Sequence, residues 1–503
     1  MRCYYTSDEV RAAEAPLMSV LPEGALMRRA AHGLAQVVAG ELRAVTGGVA
    51  GRTVTVLAGS GDNGGDALWA GTMLRRRGVA VRAVLLAPER AHSAGLAALQ
   101  RAGGRIVDEV GEPDVVVDGI VGISGKGPLR PAAAAVVASV RAPIVSADLP
   151  SGVDPDTGAV DGPAVTASVT VAFGALKPVH VLAAAQCGRV ELVDIGLDLG
   201  EPGIEAFDPG DVGAVWPVPG PFDDKYSQGV VGIAAGSPGY PGAAVLCAGA
   251  AVAATSGMVR YMGSCSNEVL ARWPEVVATK EFERAGRVQA WVVGPGIGTD
   301  PAAERSVRAV LAADVPVLLD ADALTLAAQF PELVRARSAP TVLTPHAGEF
   351  ARLAGTAPGP DRVGGARELA RAWNATVLLK GHATVIADPD GRTWVNDAGG
   401  SWAATAGAGD VLSGVIGALM STGLPPGRAA AVGARAHSLA ANLAAHGGGL
   451  DLTAGSGTAP VSASAVLSQL SEAVRVLRVG SVPALQIGPT QQVAAGAVAG
   501  SKP

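Results

Sequence analysis

Aromatic residues are scarce in this chain, 4% of 503 residues, and charged residues make up only 17%. So few charges beside 49% hydrophobic residues exclude a chain that stays unfolded by self-repulsion, and they leave ample material for buried cores. No basic excess is present either. With a net charge of −6 the electrostatic footprint of a nucleic-acid binder is missing. Cysteine occurs four times, at Cys3, Cys187, Cys247 and Cys265, without any Cys-x-x-Cys spacing. Their apolar settings read as core thiols rather than zinc ligands or disulfide partners, so a reducing cytoplasm is the expected compartment. The opening MRCYYTSDEVRAAEAP carries acids and has no apolar core, so no secretory signal is expected. The apolar run from Ala243 to Val259 contains Gly, Ser and Thr and reads as a buried helix; no membrane partner is expected.

Glycine, by contrast, is abundant at 68 residues, as suits a chain with many tight turns between strands and helices. On a prior of ~150 residues per domain, the length suggests roughly two to four domains. Short Val-rich strands recur in the first half: TVTVLAG (53–59), VAVRAVLLA (79–87), DVVVDGI (114–120), PIVSADL (143–149) and VTASVTVAF (165–173). Helix-length segments separate the earlier ones, a βαβ alternation that predicts a mainly parallel sheet covered on both faces. After the turn-rich WPVPGPF a second series follows: GVVGIAAGS (229–237), VQAWVVGPGIG (288–298), VPVLLDADAL (315–324), PTVLTPH (340–346), ATVLLKG (375–381) and TVIADPDGRTWV (384–395). The expected division is a first α/β domain over 1–215, a linker over 216–221, a second α/β domain over 222–480, and a loose tail over 481–503.

In the first half GSGDNGGDAL lies between a strand and a helix, where open α/β sheets place ligands. Its glycines let backbone N–H groups approach an anion, although a plain strand-to-helix turn reads equally well. Three further strands end in polar or glycine-rich groups: Asp118 opens DGIVGISGKGP, Asp148 and Ser151 lie in ADLPSGVD, and Lys177 closes FGALKP. Each could be a turn cap or a solvated charge. Convergence of all four ends is what a binding crevice requires.

In this order the motifs resemble the N-terminal domain of NAD(P)H-hydrate epimerases, over roughly residues 1 to 215. The resemblance implies a Rossmann-like, three-layer αβα domain that interconverts the R and S epimers of hydrated NADH and NADPH (NADHX and NADPHX). It implies substrate contacts from Asp62, Asn63, Gly64, Gly65 and Asp66, and from Gly122, Ile123, Ser124, Gly125, Lys126, Gly127 and Pro128. Asn63, Asp118 and Ser151 would hold a potassium ion, and Asp148 would be the acid/base group, with Lys177 a further catalytic candidate. Asp62 and Ala67 depart from the family pattern, which has Asn before the NGGD stretch and Gly after it. The extra acid is electrostatically awkward beside a phosphate-bearing ligand.

The second half carries denser signals at strand ends: GSPGYPGAA (236–244), GPGIG (294–298), DADAL (320–324), TPHAGE (344–349) and KGHAT (380–384). Finally TAGAGD (405–410) opens a helix. Lys380 offers a point charge for phosphate, Thr384 a hydroxyl, and the TAGAGD glycines a run of N–H groups. Asp410 reads either as a helix-start residue or as the acceptor of a proton from an attacking hydroxyl. His346 reads equally as a structural hydrogen-bonding residue.

LDADAL, TPHAGE, LKGHAT and ATAGAGDVLSG resemble the ribokinase-like superfamily, and within it the ADP-dependent (S)-NAD(P)H-hydrate dehydratases, over about residues 222 to 480. The resemblance implies a ribokinase-like αβα domain that uses ADP as phosphoryl donor, with Mg2+, to turn the hydrate hydroxyl into a leaving group. Asp410 would activate that hydroxyl. Lys380, Gly381, His382, Ala383, Thr384 and Gly409 would hold the AMP portion, and Ala243, Gly296, Gly298 and His346 would contact the hydrate. FDDKYSQG departs from the family's His-Lys pair by placing Asp224 before Lys225. A small-molecule kinase with an accessory N-terminal binding domain is the rival reading. By analogy with these folds a homo-oligomer is expected.

Overall fold

The computed structural model describes residues 1–255, 257–280, 282–447, 457–480 and 492–493. The expected tail at 481–503 thus lies outside the described residues apart from 492–493. The chain divides into two compact units, one over Cys3–Gly203 with Gln486–Pro503, the other over Ile204–Leu485 with Met1–Arg2.

In the first unit strands alternate with helices, and the short strand Gln492–Val493 adds itself in parallel beside the last of them. The alternating strands are β1 (Thr53–Ala58), β2 (Ala80–Leu85), β3 (Arg105–Ile106), β4 (Val115–Gly119), β5 (Ile144–Ala147), β6 (Val169–Phe173) and β7 (Arg189–Val193). Their spatial order is β7-β6-β5-β4-β1-β2-β3, with every neighbouring pair parallel. The order reverses between β1 and β4, so the two chains leave in opposite directions there and open a crevice beyond the strand ends.

Alternate strand residues feed two cores, because side chains along a strand point to opposite faces. Val54, Val56, Val115, Val117 and Val145 pack with Leu34 and Val38 of α2 (Ala25–Thr46) and Leu68 of α3 (Asp62–Arg76). Leu57, Val84, Val116 and Ile144 pack on the other face against Ala133 and Val137 of α4 (Pro131–Ser139). Burial on both faces explains why the strands read as near-continuous Val runs.

The second unit's sheet holds β8 (Ile204–Ala206), β9 (Val230–Ala234), β10 (Met258–Met262), β11 (Val277–Thr279), β12 (Ala290–Val293) and β13 (Val317–Leu319). It continues with β14 (Thr341–Leu343), β15 (Thr376–Leu379), β16 (Ala383–Ala387) and β17 (Thr393–Asp397). These run in the order β8-β17-β16-β15-β14-β13-β12-β9-β10-β11. Pairings are parallel except β15 with β16 and β16 with β17. TVIADPDGRTWV is therefore not one strand but a hairpin. Gly391 takes φ 96°, and the Asp388 N–H donates to the Arg392 carbonyl at 2.9 Å, closing the turn at Pro-Asp-Gly.

The apolar run from Ala243 supplies α5 (Pro241–Ala254) and then enters β10, and among the described residues no helix is long and apolar enough to cross a membrane. Helix α5 packs against α6 (Ala408–Ser421), where a Cβ on Gly414 would lie 2.2 Å from the Cys247 carbonyl oxygen. Only glycine admits that approach, which fixes the helix carrying Asp410.

Candidate active sites

A cleft of about 850 Å³ opens at the β1/β4 reversal. Gly59, at the end of β1, touches the turn after β4 so closely that a Cβ there would sit 1.9 Å from the Ile120 carbonyl oxygen. The Asn63–Gly65 stretch lies in the first turn of α3, so its N–H groups and the helix dipole face the crevice. Asp62, Asn63 and Asp66 line the cleft, together with the loop Gly122–Pro128, Asp148 and Lys177. Gly64 and Gly65, in the same turn, are closely packed. Side chains there would meet the Gly59 carbonyl oxygen at 2.4 Å and the Met27 side chain at 2.8 Å.

Asp118 and Ser151, both fully buried, sit beneath the turn after β4. Asp118 Oδ1 accepts from the Ser151 hydroxyl (2.7 Å) and the Ile120 N–H (3.1 Å), and Oδ2 accepts from the Ser146 hydroxyl (2.9 Å) and the Ser151 N–H (3.0 Å). Asn63 Nδ2 donates to the Val121 carbonyl at 3.0 Å, and the Val121 N–H donates to Ser151 Oγ at 2.9 Å. This cluster holds a carboxylate, hydroxyls and carbonyls but no ammonium or guanidinium, and burial pushes the Asp118 carboxyl up from its ordinary value.

Asp148 follows β5 in the left-handed region, at φ 66°. A non-glycine residue there is uncommon, and it turns the carboxylate toward the cleft. Lys177, only 1% exposed, forms an ion pair with Asp148 Oδ1 and donates to the Phe173 carbonyl at 2.8 Å. The Phe173 N–H also donates to Asp148 Oδ1, at 3.1 Å. His180, which sequence reasoning missed, clamps both: its Nδ1 accepts from the Lys177 N–H at 2.9 Å, and Nε2 donates to the Asp148 carbonyl at 2.8 Å. Burial, and then the Lys177 charge, depress its pKa to about 4, so the ring is neutral with its proton on Nε2. Lys-Pro-Val-His places this histidine one turn beyond the lysine, which was the available signal.

In the second unit the ends of β13 and β15 bring Asp320 and Lys380 together, with Nζ 2.8 Å from Oδ1. Ser413, one turn into α6, donates to the other oxygen of Asp320 at 2.8 Å. Glu349 adds a second carboxylate 3.6 Å from Lys380 Nζ. Burial works against the lysine's charge, but Asp320 and Glu349 outweigh it and the net shift of its pKa is upward. Gly407, at φ 85°, starts α6, whose first turn holds Gly409 and Asp410; a Cβ on Gly409 would be 3.6 Å from Lys380 Nζ. Asp410 makes no ion pair among the described residues. Burial, reinforced by Asp320 and Asp322 and opposed by Lys380, raises its pKa to about 7.

The remaining residues spread around this centre. Ala243 lies against Gly296, where a Cβ would be 2.7 Å away, and the Gly298 N–H donates to Asp322 Oδ2 at 2.8 Å. His346 is the N-cap of α7 (Ala347–Ala354): Nδ1 accepts from the Gly348 N–H at 2.9 Å, and its own N–H donates to Glu349 Oε2 at 2.8 Å. The cap leaves the ring largely exposed and positions Glu349 beside Lys380. Gly381 follows β15, and its carbonyl accepts from the Thr384 hydroxyl at 3.2 Å. Ala383 is buried in β16, and His382 stands half-exposed, 3.8 Å from Asp397. Arg362 Nη2 donates to the Lys380 carbonyl at 3.0 Å and steadies that loop.

Known proteins resemble the chain over both units. The family model described as YjeF-related protein N-terminus matches residues 23–179, and the model described as NAD(P)H-hydrate dehydratase matches residues 231–456. The bifunctional NAD(P)H-hydrate repair enzyme Nnr of Mycobacterium tuberculosis is 64% identical over 435 residues, covering 86% of this chain and 92% of that protein. Its counterpart from Mycobacterium leprae is 59% identical over 481 residues, covering 95% of this chain and 100% of that protein. A solved ADP/ATP-dependent NAD(P)H-hydrate dehydratase from Bacillus subtilis, co-crystallized with ATP/Mg2+, is 26% identical and covers 54% of this chain and 98% of its own, with a TM-score of 0.47.

Proposed function

The chain belongs to the bifunctional NAD(P)H-hydrate repair enzymes, and on that premise we propose how its two sites divide the chemistry. The first unit epimerises the R and S hydrates of NADH and NADPH, and the second dehydrates the S hydrate at the expense of ADP. A small-molecule kinase is not favoured, since the relatives over both units are repair enzymes.

The observation that carries the dehydratase assignment is Asp410: a carboxylate with pKa about 7, unpaired, in the first turn of a helix beside Lys380. A base poised near neutrality is efficient in both of its protonation states. Asp410 takes the proton of the hydrate hydroxyl as that oxygen forms a bond to the terminal phosphorus of ADP, and the bond from that phosphorus to the AMP oxygen breaks. The N–H groups of the first turn of α6 and the Lys380 ammonium stabilise the charge on the transferring group. Loss of the phosphate with a ring proton then restores the nicotinamide double bond. Gly381, His382, Ala383, Thr384 and Gly409 hold the AMP portion, while Ala243, Gly296, Gly298 and His346 face the hydrate.

Mg2+ fits as an ion carried by phosphate: Asp320, Asp322 and Glu349 are already engaged, and no group of three His, Cys, Asp or Glu suited to a metal occurs among the described residues. Bound there, it would neutralise phosphate charge. In the first unit the oxygen-only set of Asn63, Asp118 and Ser151 suits a potassium ion, which would compensate the buried Asp118 charge and tie the two loops together. Asp148 exchanges the protons of the inversion, with Lys177 holding it. Four cysteines without any Cys-x-x-Cys spacing support a cytoplasmic setting, and fold analogy supports a homo-oligomer.

The test supplies mixed hydrate with ADP and follows the absorbance of restored NADPH. Phosphorylated product that accumulates without elimination would overturn the dehydratase reading. For the first unit, Asp148→Ala should abolish consumption of the R epimer; an unchanged rate would remove Asp148 from its role.

A further inference from the structure

We propose that Asp66 is the proton donor of the epimerisation, working against Asp148 from another wall of the same cleft; this rests on the epimerase reading of the first unit. Asp66 stands in the second turn of α3, lines the cleft and is only 7% exposed, and its Oδ1 has no hydrogen-bond partner. Every other buried carboxylate of this site is answered. Asp118 accepts four hydrogen bonds, and Asp148 holds Lys177 and the Phe173 N–H. A buried carboxyl left without partners is costly unless a proton neutralises it or a ligand completes it.

The groups that face Asp66 come from three other places in the unit. Asp148 follows β5, Glu14 comes from α1 (Ser7–Val20), Lys177 follows β6, and Asp62 opens its own helix. Burial first, then the charges of Asp148, Asp62 and Glu14, push the Asp66 carboxyl well above the usual range, and Lys177 opposes them only weakly. Asp66 is therefore the acid and Asp148, paired with an ammonium, the base. A carboxyl that burial keeps protonated can serve as the acid, while the carboxylate held by the Lys177 ammonium faces the same cleft as acceptor.

Inversion at the hydrated carbon then balances as follows. Asp66 gives its proton to the ring hydroxyl, the carbon–oxygen bond breaks with its electron pair leaving on oxygen, and water departs as the ring nitrogen lone pair forms the iminium. A water adds to the opposite face, the new carbon–oxygen bond forms, and Asp148 takes the proton that this water releases. One proton has moved from Asp66 to Asp148, and it returns through cleft water before the next inversion. The acid at position 62, which sits awkwardly beside a phosphate, here helps keep Asp66 protonated.

The test uses the full chain without ADP, so that only interconversion of the epimers is read, by chromatographic separation of R and S. Asn at position 66 keeps size and a hydrogen-bond donor but cannot release a proton. Asp66→Asn should lower kcat by about 100-fold or more, with KM little changed and Tm retained. It should also erase the fall in rate at high pH that reports loss of the Asp66 proton. Interconversion by D66N near the wild-type rate with the same pH profile overturns the proposal. Absence of interconversion by the wild type would instead sink the epimerase reading itself. Should D66N fail to fold, Asp62→Asn carries the test: removing that neighbouring charge should move the high-pH limb to lower pH, and an unmoved limb overturns the proposal.

Discussion

Both units place a lysine–aspartate pair beyond the carboxyl ends of parallel strands, yet they use it differently. In the first, Lys177 is paired with the carboxylate assigned to proton transfer, Asp148, and both are sealed at 1% and 9% side-chain exposure. In the second, Lys380 is paired with a supporting carboxylate, Asp320, which leaves Asp410 unpaired with its pKa near 7. The lesson is that one ion pair can hold a reactive carboxylate in place or, by occupying a neighbour, leave it basic.

The largest expected effect comes from breaking the sealed pair. Lys177→Met leaves Asp148 buried and uncompensated and should cost about 3–5 kcal/mol of stability in denaturant melts of the first unit, together with epimerase activity. A variant melting like the wild type would mean the pair contributes nothing. The corresponding change in the second site is chemical rather than structural: Asp410→Asn should lower ADP-driven dehydration by about 100-fold while epimerisation continues.

The same substitution should stabilise. Because the folded-state pKa of Asp410 lies above its ordinary 3.8, the stability it contributes is full below that value and lost as pH rises through about 7. Above pH 7 Asp410→Asn therefore stabilises the second unit, by at most about 4 kcal/mol and less after solvent screening, which a raised Tm would report. A lowered Tm at pH 8 would contradict the unpaired description.

Dehydration should also increase with pH through about 7, as Asp410 loses its proton. Asp320→Asn removes a charge that raises the Asp410 pKa, so it should move this limb to lower pH; a limb that stays put would show that the two carboxylates do not communicate. The smallest effect expected is His180→Ala, which strips partners from the Lys177 N–H and the Asp148 carbonyl at roughly 1–3 kcal/mol. Its melting curve reads that directly.

Where the chemistry rides on contiguous motifs it was legible. NGGD, the loop from Gly122 and TAGAGD lie where strand ends meet helix starts, and both αβα sheets followed from the strand–helix alternation. What stayed hidden depends on which strand ends become neighbours. Asp320 and Lys380 are 60 residues apart, and their contact appears only once the order of β13, β14 and β15 is known. Ser413 and Glu14 carried no signal of their own before Ser413 was seen on Asp320 and α1 at the cleft. Strand β7 was obscured by its own charges, because Arg189 and Glu191 are paired with each other and Arg189 with Glu41. The 384–395 segment read as one strand because its turn residues were outweighed by the Val, Ile and Trp around them.

The Glu349 carboxylate beside Lys380 carries a consequence for turnover. A phosphate arriving at this lysine meets an ammonium already balanced by two acids, and it must compete with Glu349 for part of that charge. On the proposed role of Lys380, ground-state grip on a nucleotide would thereby be moderated, and Glu349 stands within reach to reclaim the ammonium as AMP and phosphate leave. Binding given up equally in substrate and product costs little rate at saturation. It spares a repair enzyme from being occupied by its own spent nucleotide.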